Sequence, residues 1–251
     1  MSIPAVVDPT LPMRLPHSMG YNKHSLLLDG FEDYIDMGDT PLVDFGNGDF
    51  ALEICLRITN LAQGRCAIFG KDALAPNRQF FLLWDINNDN SNALQLAYFV
   101  GGVWVRLTTG PNFLSDTSFF HHLLAQRRGD FFWIYLDGLR ASSGAGVGVH
   151  GVMDAIAAKL QIGHREIIGE FLDAEIAYAR IYGRSFTQRQ VEYNMLNYTK
   201  PITDNLVMWL PMEEGQGLTA YDQSGNALNG TLTPAPTPPI WTDVRKWELR
   251  D

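Results

Sequence analysis

Apolar residues along this chain alternate with other residues over short stretches far more often than they recur at helical spacing. From 50 to 58, Phe50, Leu52, Ile54, Leu56 and Ile58 alternate without a break with Ala51, Glu53, Cys55 and Arg57. That is the period of a strand with one apolar face and one mixed face. Residues 118–142 read as two longer strands joined by a tight polar turn at Arg128-Gly129-Asp130. In the second of these, Phe132, Ile134 and Leu136 share one face, and Phe131, Trp133 and Tyr135 share the other. Both faces are apolar, so the strand belongs inside a sheet, one side in a core and the other in a second covered or ligand-holding surface. Asp137-Gly138 supplies the turn into the next strand. Further strands are predicted over 66–71, 79–86, 93–100 and 103–108, each bounded by Gly, Asn, Asp or Pro. Short strands at this spacing, with no helical pattern between them, predict an antiparallel sandwich. One helix is predicted over 187–197, capped by Thr187, with Val191, Met195 and Tyr198 on one face.

Several strings carry a resemblance. HHLLAQRRGDFFWIYLDGLRASSG resembles the W-H-H-V-A to Y-V-D-G core of laminin-G-like domains of the concanavalin A-like lectin/glucanase superfamily, with Phe120 where a Trp is usual. SLLLDGFEDYIDMGD is similar to the F-D-G opening of that family, and DFALEICLRI to its F-T-I-E strand. LQIGHRE is similar to its L-x-I-G strand. FLDAEIAYARIYGRSFTQRQVEYN is similar to its G-x-I-D-x-V-R-I-Y strand with the closing helix, and Ala174 stands where Gly is usual. The pieces occur in family order over residues 25–197. The resemblance implies an all-β fold, an antiparallel jelly-roll sandwich of concanavalin A type with one short C-terminal helix and an added hairpin. The expected organisation is an extended Pro-rich arm over 1–24, the sandwich over 25–198, a linker and docked hairpin over 199–233, and a Pro-rich tail over 234–251. The hairpin segment is too short for a core of its own, so it must pack on this sandwich or a neighbouring one.

Composition narrows the chemistry. A chain of 251 residues with 46% hydrophobic content suits a globular sandwich. A net charge of −9 without a basic run argues against nucleic acid or an anionic membrane as partner. The first residues lack the charged start and continuous apolar stretch of a secretion signal, and no stretch reaches transmembrane length, so synthesis and folding in a host cytoplasm are expected. If the strands around Cys55 and Cys66 pair as a hairpin, Cys55 faces a residue near Phe69; the two thiols are therefore read as free.

No E-x-D-x-x-E string is present, which glycoside hydrolases of the superfamily use to set two carboxylates about 5 Å apart. No Ser, Cys or Thr occupies a nucleophile elbow, so no catalytic residue is assigned and no enzyme is expected. His121 and His122 are adjacent, point to opposite sides of a strand and cannot share a metal. The loop 85–91 has the first three oxygen positions of an EF-hand loop but lacks the later Gly and acid, and reads as a turn. No cofactor is required. Laminin-G-like relatives often carry Ca²⁺, and the resemblance makes Asp29 and Asp33 its candidate ligands, with solvated turn residues as the alternative. What remains is aromatic surface: Trp84, Trp104, Phe131, Trp133 and Tyr135 are expected on neighbouring strands, facing away from the core. Two function classes follow. One is a structural protein that uses the sandwich as a scaffold and its arms to clamp other subunits. The order of segments, with LVMWLPMEEGQG and DQSGNALNGTL after the sandwich, resembles phage virion proteins that decorate capsids or associate with tails. The other is a lectin module that holds a glycan on the aromatic face or on the loops 85–92 and 143–152.

Overall fold

The computed structural model describes residues 23–73, 78–84, 91–145, 151–154, 156–166, 169–234 and 236–243. In chain order its strands are β1 His24–Asp29, β2 Tyr34–Asp39, β3 Phe50–Ile58, β4 Cys66–Asp72, β5 Arg78–Trp84, β6 Leu94–Val100, β7 Val103–Thr108 and β8 His121–Arg128. They continue with β9 Phe131–Leu136, β10 Leu139–Ala145, β11 Lys159–Ile162, β12 Asp173–Tyr182, β13 Leu206–Leu210, β14 Thr219–Ala220, β15 Gly230–Thr233 and β16 Ile240–Asp243. The helix α1 spans Gln188–Leu196. The first sheet runs β10-β9-β8-β3-β12-β1-β16, with β13 also paired to β12; the second runs β14-β15-β2-β11-β4-β5-β6-β7. Neighbours pair antiparallel throughout, so the architecture is the expected sandwich of two antiparallel sheets with one short helix.

The alternation of β3 decides what lies between the sheets. Phe50, Leu52, Ile54, Leu56 and Ile58 are fully buried there with Phe132 and Ile134, against Phe80, Leu82 and Trp84 of the second sheet. Each such side chain contributes roughly 1.5–3 kcal/mol by leaving water. Trp84 is therefore a core residue and not a surface aromatic. Its Nε1 donates to the Leu114 carbonyl at 3.3 Å, which satisfies the one polar atom of a buried indole.

The outer face of the first sheet is covered by α1 and the chain on either side of it. Leu124, Tyr135, Tyr182, Phe186 and Val191 form a second apolar cluster there. Thr187 opens the helix, and its backbone N–H is taken by the Gln190 side chain at 2.9 Å. Beneath the helix Glu53 is fully buried, with His122 Nε2 2.9 Å away, Arg180 donating at 2.9 Å and Asn194 at 3.0 Å. Burial pushes the Glu53 carboxyl up, but Arg180 and the hydrogen bonds outweigh it and hold the group below the usual glutamate range.

Three expectations change. The strands carrying the cysteines do not pair as a hairpin: β3 lies between β12 and β8, while β4 lies between β11 and β5. Cys55 and Cys66 sit in different sheets, both buried and neither in a disulfide. The segment 199–233 does more than dock a hairpin: β14 and β15 form the antiparallel pair, and a further strand goes to the other sheet. Its β13 joins the first sheet beside β12, while β14 and β15 extend the second sheet beyond β2. Open edges of β12 and β2 present unpaired backbone groups, and these strands fill them. The tail over 234–251 contributes β16, which pairs with β1 of the same chain, while Trp241 packs on the core and Thr242 bonds Ser25. The arm over 1–24 lies outside the described residues up to 22. No described helix is long and apolar enough to cross a membrane.

Candidate functional site

The aromatic residues singled out from the sequence do not form one surface. Trp84 is in the core. Tyr135 is buried under the chain around α1. Phe131 and Trp133 lie further along β9 on the same outer face, Phe131 50% exposed and Trp133 half-buried. Trp104 belongs to the other sheet, on its outer side. Alternation assigned β9 correctly, but it could not say which strands share a sheet with it.

The outer face of the second sheet is built by residues directly opposite one another across strands. Asp36, Gln161, Gly70, Phe81, Ala97 and Arg106 form one such row. The chain after β11 crosses this row over Gly70, where a Cβ would meet Arg165 Cβ at 2.6 Å and the His164 carbonyl at 3.0 Å. Only glycine leaves room for that crossing. Arg165, buried, sets its guanidinium 4.6 Å from the Phe81 ring and donates to Asp72 at 2.8 Å, with Glu170 as a further partner. On one side of the crossing, Lys159 donates to Asp36 at 2.8 Å, beside Tyr34, His164 and Phe171. His164 stacks on Phe171 at 4.2 Å, and burial pushes its imidazole down to about 4, so it is neutral at physiological pH.

On the other side lies the aromatic platform. Trp104 packs 4.6 Å from Phe81 and 5.0 Å from Phe99, ring centre to ring centre, with the Arg106 guanidinium 6.0 Å away. Along β7 the outward positions are Trp104, Arg106 and Thr108, the last accepting from Gln95 at 3.0 Å. The arrangement offers a half-buried indole for the apolar face of a ring, with guanidinium, hydroxyl and amide groups alongside for hydrogen bonds. Phe81, Phe99 and Arg106 were not singled out from the sequence. The runs QFFLLW and LAYFV are apolar at successive positions, so periodicity does not tell their outward residues from their inward ones.

Asp29 and Asp33 are engaged with the backbone. Asp29 Oδ1 accepts from the N–H groups of Phe31, Glu32 and Asp33 at 2.9–3.2 Å, and Asp33 Oδ2 accepts from Asp29 N–H at 3.1 Å. Burial of Asp29 is outweighed by these bonds, which hold its carboxyl below the usual range. Burial, with the Asp29 charge behind it, pushes Asp33 up to about 6. Among the described residues no three or more His, Cys, Asp or Glu side chains gather as metal ligands. Two carboxylates already bound to N–H groups do not make the shell of about six to eight oxygens that Ca²⁺ takes, so the pair fits a turn and not a calcium site. The loop residues 85–90 and 146–150 lie outside the described residues.

This fold and its register define a class, and the family comparison agrees. The laminin G model of the concanavalin A-like lectin/glucanases superfamily matches residues 29–192, and the chain belongs to that family. Similar architecture occurs in a candidate carbohydrate-binding protein of Bacteroides ovatus, with TM-score 0.64 and 15% identity over 89% of this chain and 60% of that one. The binding domain of Paraclostridial mosquitocidal protein 1 gives a TM-score of 0.51 at 12% identity, over 71% of this chain and 47% of that one. The heptameric SAP-like pentraxin of Limulus polyphemus gives 0.51 at 13%, over 71% and 84%. At such identities the likeness is one of fold, and the chain spans 60% and 47% of the length of the first two. No curated protein sequence matches this chain.

Proposed function

We propose that this protein is a lectin-like carbohydrate-binding module that holds a glycan on the outer face of its second sheet, with Trp104 as the stacking residue. The observation that carries the reading is the seating of Trp104 on Phe81 and Phe99 with Arg106 and Thr108 at the next outward positions. A supported indole loses little freedom when a sugar ring packs on it, and the polar neighbours fix the ring's orientation. Membership of the concanavalin A-like lectin/glucanases superfamily and the candidate function of the structurally similar Bacteroides protein point the same way. The competing reading, a virion scaffold, drew on the Pro-rich ends and on the order of segments; the C-terminal end pairs with β1 of its own chain, which takes away one of these supports.

The test is a broad glycan array followed by titration of any hit. Wild type should be retained by at least one glycan, and Trp104→Ala should weaken it about tenfold or more, the loss of roughly 1.4 kcal/mol of ring contact. Arg106→Gln should weaken it less, with the melting temperature unchanged. No retention of the wild type, or equal retention of Trp104→Ala, removes the reading; assembly onto a particle in the absence of glycan binding favours the scaffold instead.

A further inference from the structure

Two surface patches of opposite charge have no ion-pair partners among the described residues, at opposite ends of the first sheet and each one strand in from an edge. One is the turn between β1 and β2. Phe31 is 76% exposed there, flanked at the surface by Asp29 and Glu32 with Asp33 buried behind them; among the described residues none of the three forms an ion pair, and Glu32 accepts only from the Thr237 hydroxyl, at 2.9 Å. The upward shift of Asp33, caused first by burial and then by Asp29 and Glu32, is consistent with uncompensated negative charge in that turn. The other patch is centred on Trp133. Arg128 on β8 and Arg140 on β10 flank it, with guanidinium carbons 5.2 and 5.6 Å from its ring, and both are exposed. Neither arginine forms an ion pair among the described residues, and Phe131 lies alongside, 50% exposed.

The topology keeps the two patches apart. From β1 to β9 the sheet passes through β12, β3 and β8, four strand spacings or about 19 Å. Antiparallel pairing sets Asp29 opposite Asp173 at one end of the sheet, and Phe50 opposite Arg127 at the other. One molecule cannot bring its own turn to its own arginines. Two exposed guanidiniums on an acidic chain attract a carboxylate-rich surface, and a bare phenyl ring beside those carboxylates finds an indole and a second phenyl in the other patch.

We infer that the protein associates head to tail, the Phe31 turn of one copy docking on the Trp133 patch of the next between Arg128 and Arg140. Such a contact is heterologous, so it extends into a ring or filament and does not stop at a dimer. Charge–charge attraction at an exposed contact makes it salt-sensitive. The contact does not involve Trp104, so it stands or falls separately from glycan binding.

Sedimentation velocity on the full chain tests it. At about 50 mM salt the wild type should shift to larger species with rising concentration, and at about 500 mM salt it should return to monomer. Phe31→Ser should be monomeric, and so should Arg128→Glu/Arg140→Glu; Arg128→Gln/Arg140→Gln serves if the charge reversal fails to fold. Mixing the two variants should give a one-to-one dimer and nothing larger, because each retains the half that the other lacks. Trp104→Ala should assemble as wild type. A wild type that stays monomeric at low salt, or a mixture of variants that stays monomeric, overturns the inference; larger species that persist in both variants do so too.

Discussion

Asp33 is the residue whose ionisation the fold opposes most clearly outside the buried network. Its carboxyl is raised from an ordinary value of 3.8 to about 6 by burial and by Asp29. A folded-state value above the unfolded one means that the folded protein binds this proton more tightly than the unfolded chain does. Its contribution to stability is fully present below about pH 4 and is lost as the pH rises through about 6. Asp33→Asn should therefore raise the melting temperature at pH 7.5, while wild type and variant should converge near pH 3.5. Equal melting at both pH values would mean that Asp33 titrates as a solvated residue. The same position shows what a sequence conceals. An acidic turn advertises a cation site, yet the N–H groups that occupy Asp29 come from the backbone geometry of 29–33, which side-chain composition does not encode.

The helix α1 illustrates the element scale. Its apolar stripe is short, and its hold on the first sheet depends on Asn194, whose amide donates to Glu53 and Tyr182 while its oxygen accepts from Ile202 N–H at 2.9 Å. Asn194→Ala leaves a buried carboxylate oxygen and a backbone N–H without partners, at about 1–3 kcal/mol. Asn194→Asp should cost more, because it sets a second carboxylate about 3 Å from Glu53. Urea unfolding with an unchanged slope would measure both, and an alanine variant as stable as wild type would mean that the helix is held by Val191 and Met195 alone. The helix itself was legible, found at Gln188–Leu196 where 187–197 was expected. Its docking partner was not, since Glu53 reads as an outward strand residue until a covering element buries it.

For the whole molecule, the question is where the folding unit ends. A chain stopped at 198 would lose Met208, Leu210, Met212, Leu228 and Leu232, all buried in the main core. At roughly 1.5–3 kcal/mol each, their loss is about 7–15 kcal/mol, comparable to the entire stability of a domain. Such a chain should show no cooperative thermal transition and no near-ultraviolet circular dichroism. A sharp transition from it would make 25–198 a domain after all. The family model ends at residue 192. The four strands that follow complete two edges, and an edge is a property of the assembled sheets.

What the sequence determined by itself was local: the strand period of 50–58, the two-faced apolar strand at 131–136, the turn glycines and the helix near the C-terminal side, each set by neighbours within a few residues. Those features, taken in order, were enough for the sandwich class. Only the tertiary structure decided which strands share a sheet, and with that which apolar face becomes core. Trp84 and Trp104 show the consequence. Trp84 lies in a strand that is apolar on both faces, and only the parity of β5 turns it toward the opposite sheet, whereas Trp104 shares the outward face of β7 with Arg106 and Thr108. The physical reason is that side chains alternate with a period of two. When both faces are apolar, the choice of face rests on register with distant strands, and no local stretch of sequence contains it.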